Sequence, residues 1–151
     1  MSSNTDTIPF QKQGEVIKNN SFIRCNNNLS ALQRKSFTIM LRETFETIKE
    51  QGEQRYYNMP LVEYRQMMGH PDSMPTKYIA NELEELMTKI VKWDIDKEGN
   101  GTRSAMLSGF EVRNTGVLKW AFSPFLIDKL LADGYTPLKL SIVLDLVGKY
   151  A

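Results

Sequence analysis

The chain has 151 residues, 41% hydrophobic and 25% charged, with 19 Lys+Arg against 18 Asp+Glu and a formal net charge of +1. This is the size and composition of one ordinary globular domain, and it excludes a disordered chain, a fibre and the bulk basicity of a protein that coats nucleic acid. A single Cys (Cys25) and a single His (His70) rule out an intramolecular disulfide and a thiolate zinc site, and leave His-based metal clusters and triads short of ligands. No apolar run approaches the ~20 residues that span a bilayer. The start, Met1 to Asp6, has neither the basic nor the apolar region of a secretory signal. A cytoplasmic, non-catalytic domain with no cofactor and no membrane contact is the expectation.

Charge is unevenly spread. Residues 1–52 carry seven Lys/Arg and five acids (net +2), 53–96 five and eight (net −3), and 97–151 seven and five (net +2). Phosphate contact is open to the mildly basic flanks, but a groove-filling basic stripe is absent.

The first 13 residues are polar and expected to be loose, which places the domain at 14–151. Residues 14–24 mix apolar and basic side chains and fit a strand or a short helix. A helix over 30–51 follows: Ser30 and Gln33 form a capping box, Leu32, Phe37, Met40, Leu41, Phe45 and Ile48 recur at helical spacing, and Gly52 stops it. Tyr56 to Met59 reads as a strand, and Pro60 opens a short helix over 61–68. After a turn at 69–73, a longer helix over 75–92 is capped by Asp72 or Ser73, with Ile79, Leu83, Leu86, Met87 and Ile90 as its stripe. Two helices around a tight turn give a helix-turn-helix outline. Strands over 92–96, 103–113 and 117–122 are joined by turns at 97–101 and 114–116 and form the wing. Ser123-Pro124 and Thr136-Pro137 each open a closing helix with a cap and a proline. The last helix, from Leu138, ends at Tyr150-Ala151 without a cap, as a cut chain does.

This order of elements resembles the N-terminal winged-helix domain of the replication initiator (Rep) proteins of iteron-containing theta plasmids. The matching strings are Asn28 to Lys35, Met59-Pro60-Leu61 to Met68-Gly69, Asn81 to Leu86, Trp120 to Leu126, and Tyr135 through Ala151. The resemblance implies an α+β fold, a winged helix-turn-helix with additional flanking helices. It also implies a role in plasmid replication initiation and copy-number control. In that family a second winged helix, which this chain lacks, reads the iteron bases. The first domain dimerises and, in monomers, touches the phosphate backbone; dimers repress or handcuff origins and monomers initiate. Origin DNA, a second copy of the chain and host replication proteins are the implied partners. The alternative is a free-standing winged-helix transcriptional regulator, which needs specific DNA binding by these 151 residues alone. An enzyme has least support: P-loop, nucleophile elbow and metal-ligand spacings are all missing.

The helix over 75–92 occupies the recognition position, yet Lys77, Lys89 and Lys92 against Glu82, Glu84 and Glu85 give it zero net charge and no Arg or Gln. A structural helix fits this better than a base reader. Lys97 and Arg103 flank the wing turn and, with Lys119, either contact phosphates or belong to an ordinary solvated hairpin. Thr76 and Lys77 either meet a phosphate or cap their helix. His70 has no ligand partner nearby, Cys25 reads as an inert thiol, and Asp94 and Asp96 read as exposed strand carboxylates. Trp93, Met106, Leu107, Phe110, Leu118, Trp120 and Phe122 make both faces of the wing strands apolar. Such strands either pack under the first long helix or meet a second subunit; a dimer interface at Ala105, Met106, Leu107, Phe110 and Val112 is the favoured expectation.

Overall fold

The computed structural model describes residues 24–25, 28–69, 74–114 and 116–134. In chain order these form β1 (Arg24–Cys25), α1 (Ala31–Gln51), β2 (Tyr57–Pro60), α2 (Leu61–Met68), α3 (Thr76–Leu86), β3 (Ile90–Trp93), β4 (Thr102–Ala105), β5 (Gly109–Val112), β6 (Val117–Ala121) and α4 (Pro124–Asp133). The loose N-terminus, His70, the caps Asp72 and Ser73, and the closing helix from Leu138 all lie outside the described residues.

The long helix starts where local chemistry dictates. The Gln33 amide donates to Ser30 Oγ at 3.0 Å and the Ser30 amide donates to Gln33 Oε1 at 3.1 Å, so two orphan donors are satisfied reciprocally. At the other end Gly52 takes φ 87° and its amide reaches the Ile48 carbonyl at 2.8 Å. Three polar residues lie buried along one side of α1, each bonded to a different element. The Gln33 amide group donates to Glu85 Oε1 on α3 at 2.9 Å. Ser36 shares a hydrogen bond with the Tyr64 hydroxyl on α2. Thr44 Oγ1 accepts the indole N–H of Trp120 on β6 at 2.9 Å. Phe37, Met40 and Leu41, on the same side, enter the core.

The strands form two antiparallel sheets, ordered β1-β3-β4 and β2-β6-β5. In the second, Tyr57 and Phe110 flank Trp120, and Met59 and Val112 flank Leu118. Trp120 and Leu118 are fully buried, so one face of this sheet closes the core beneath α1.

Two expectations are corrected. The helix expected over 75–92 ends at Leu86, and Ile90–Trp93 is strand β3. Ile90 satisfies a helical stripe by spacing, but it is 41% exposed, whereas Val91 and Trp93 alternate into the core. Four residues with period-two burial, paired to Thr102–Ala105, settle the local ambiguity in favour of a strand. The N-cap of α3 is Pro75, which makes no side-chain cap bond. The strand expected over 103–113 is two strands in different sheets. The Met106 amide donates to the Lys89 carbonyl at 2.9 Å in one sheet, and the Ser108 amide donates to the Ala121 carbonyl at 3.0 Å in the other. The chain changes sheets at Leu107, which is fully buried.

Replacing Thr44 by Val keeps the side chain's shape but strands the buried Trp120 donor. Urea unfolding of Thr44→Val should show a loss of about 1–3 kcal/mol with an unchanged m value.

Candidate nucleic-acid interface

The helix-turn-helix is held by polar clamps rather than by caps. The Leu61 amide donates to the Gly116 carbonyl at 2.8 Å, which ties the start of α2 to the β5–β6 turn. Gly69 ends α2 in the left-handed conformation, at φ 87°. Arg65 then bridges to the next helix: its Nε donates to the Met74 carbonyl at 2.8 Å and its Nη2 to Thr76 Oγ1 at 3.0 Å. The Thr76 hydroxyl in turn donates to Asn114 Oδ1 in the β5–β6 turn. Thr76 does not cap its helix, whose N-cap is Pro75 without a side-chain cap bond; its hydroxyl instead fastens Arg65 to Asn114. Neither Arg65 nor Asn114 was singled out by sequence; each acts only through residues distant in the chain.

Within its observed bounds α3 carries Lys77 against Glu82, Glu84 and Glu85, one minus three, or −2. Trimming the helix to Leu86 therefore makes it more hostile to phosphate than the longer helix the sequence suggested. Glu82 accepts from the Ser30 hydroxyl at 2.9 Å, so part of this charge serves the contact with α1. Lys77 and Tyr78 are exposed beside it. This is poor chemistry for reading bases.

The wing is the β3–β4 hairpin. Its turn demands unusual backbone: Asp94 adopts φ 58° and Gly101 φ 144°. A Cβ on Gly101 would lie 2.5 Å from Ile95 Cδ1 and 2.6 Å from the Asp94 carbonyl oxygen. Asp94 and Asp96 consequently sit in the turn, not alternating along a strand as expected. Asp96 Oδ1 accepts the amides of Glu98 and Asn100, both at 2.9 Å, and its Oδ2 accepts from Asn100 Nδ2 at 2.8 Å. These bonds, the Asn100 side chain foremost, hold the Asp96 carboxyl below its ordinary pKa. Among the described residues no group of three or more His, Cys, Asp or Glu could hold a metal ion. Lys97 is exposed on this turn and Arg103 is exposed on β4.

Lys119 belongs to the other sheet, between Asn58 and Glu111. Its Nζ lies 5.0 Å from the centre of the Tyr56 ring, and Arg55 lies 5.8 Å from the same ring. A depression of about 240 Å³ opens beside them over Gly109 and Ala121.

The five expected dimer residues divide. Met106 and Leu107 are fully buried in this chain's own core and present no surface. Packing beneath α1 accounts for Trp120 and Leu118 as well, so the apolar wing strands are in large part a core feature. Ala105, Phe110 and Val112 remain half-buried, the last two at the edge of the core on β5. Cys25 is a buried thiol.

Among known families, the one described as Initiator Replication protein, WH1, matches residues 15–151. No curated protein matches the chain. No helix among the described residues is long and apolar enough to cross a membrane.

Two outcomes test the wing. Gly101→Ala should lower stability by about 1–3 kcal/mol in thermal or urea unfolding, through the clash and the positive φ. Because the folded pKa of Asp96 is depressed, its bonds stabilise the turn fully above the ordinary carboxylate value and are lost as pH falls through the folded one. Asp96→Ala should therefore speed amide exchange at Glu98 and Asn100 at neutral pH while leaving α1 protected.

Proposed function

Because this chain belongs to the WH1 family of initiator replication proteins, and is thus a plasmid replication initiator domain with a winged-helix fold, we propose that it acts by association rather than by catalysis. Two copies pair, and the single copy touches the phosphate backbone of origin DNA. Pairing and origin engagement compete, and that competition sets both initiation and copy number. The family match over 15–151 carries this reading.

Charge supports a sequence-neutral role in DNA contact. The net −2 of α3 disfavours base reading, whereas Lys77 and Arg103 are exposed and have no ion pair among the described residues. Such contacts add salt-sensitive affinity without discrimination. Pairing is assigned to the edge strand β5, where Phe110 and Val112 are half-buried, with Ala105 on the neighbouring sheet. Host replication proteins complete the proposed set of partners, and the cytoplasm is the proposed location.

Mobility shifts with a plasmid-origin duplex and a random duplex should give similar complexes, both weakening steeply between 50 and 200 mM salt. A complex specific to one operator at both salts would instead identify a free-standing transcriptional regulator. Sedimentation at tens of micromolar should show a dimer; a persistent monomer removes the pairing role.

A further inference from the structure

We infer that the DNA backbone is held by the strands of the wing, at the cross-strand pair Lys92 and Arg103, with which Arg24 of β1 lies in register, and not by the wing's turn. This rests on the proposed DNA contact and says where it is made. Lys92 on β3 has Arg24 of β1 as its register partner on one side and Arg103 of β4 on the other. Basic residues therefore occupy the same position on all three strands of the sheet. Neighbouring strands are about 4.8 Å apart, so the row extends about 10 Å across.

Like charges directly opposite one another destabilise a sheet, and a fold gains nothing from three in line. No acid relieves them within the ladder: the next pair on the same face is Ile90 with Ala105, because the adjacent positions, Val91 with Ser104 and Trp93 with Thr102, point to the opposite face. Among the described residues neither Lys92 nor Arg103 enters an ion pair, and Arg103 Nη1 makes only a long 3.4 Å bond to the Gly101 carbonyl. An arrangement that costs stability in the isolated domain and has no counter-charge among the described residues is matched to an external polyanion. A duplex, with one charge per ~1.7 Å of axis, offers more than one phosphate to a row of this length.

The turn has the opposite character. Asp94, Asp96 and Glu98 surround Lys97, one minus three, or −2. Asp96 is bonded into the turn by three donors and keeps its charge. A phosphate approaching the wing is repelled at the turn and attracted on the strands, so Lys97 is not the contact that its position on the turn suggests.

The test uses the 151-residue chain, a random duplex and a salt titration of affinity, with thermal unfolding of each variant. Lys92→Gln/Arg103→Gln should weaken binding about 10-fold or more at 50 mM salt and flatten the log–log salt slope by about 1.8, two contacts at ~0.9 each. The same variant should melt about 2 °C higher, because the repulsion is relieved. Lys97→Gln should leave the slope unchanged. A wild-type slope in the double variant, a lower melting point for it, or a slope that responds to Lys97→Gln instead, overturns the row while leaving the DNA reading intact. Failure of the wild-type chain to bind any duplex at 50 mM salt overturns the DNA reading and the row together.

Discussion

Three buried polar side chains on one side of α1 determine where the rest of the domain sits. Gln33 bonds to α3, Ser36 to α2 and Thr44 to β6, so the helix-turn-helix and the central sheet are registered against the same rod. Apolar packing around Phe37, Met40 and Leu41 supplies the bulk of the burial but is indifferent to small rotations. A buried donor such as the Trp120 indole is not, because losing its acceptor costs the whole desolvation of the group. Burial also raises the pKa of the Tyr64 phenol above its ordinary value, further disfavouring ionisation of the Ser36–Tyr64 pair.

With α1 as the reference, the polar clamps of the helix-turn-helix acquire a purpose. Arg65, Thr76 and Asn114 join α2, α3 and the β5–β6 turn in one chain of hydrogen bonds. They hold α3 in the recognition position while its carboxylates make it unsuited to the groove. The fold thus keeps a helix-turn-helix outline, and the proposed backbone contact falls on the β1-β3-β4 sheet instead. On the proposed reading, a winged helix used this way contributes affinity and orientation, and leaves discrimination to other surfaces.

Much of this was legible in sequence wherever the physics is local. The Ser30–Gln33 capping box, the Gly52 stop and the Ser123-Pro124 start of α4 each depend on residues within a few positions, and all three stand in the structure. The candidate site was legible only in part. Arg103 and Lys97 could be named as wing cations, and the acids beside Lys97 are adjacent in sequence, but the pairing of Arg103 with Lys92 could not be read, because it depends on strand register. Ile90 misled because it fits a helical stripe and a strand equally well until Thr102–Ala105 arrives as a partner.

By itself the sequence determined the kind of domain: one core, an opening capped helix, a helix-turn-helix followed by hairpins, and charge too balanced for a groove-filling binder. Those properties follow from composition and short-range spacing, which folding does not alter. Only the tertiary structure decided which apolar residues are interior and which cations stand together. Met106 and Leu107 look like a docking face until the chain is seen to change sheets at Leu107 and bury both. Arg24, Lys92 and Arg103 are unrelated along the chain and become neighbours only through strand register. Burial and register are set by contacts between distant segments, and no local pattern encodes them.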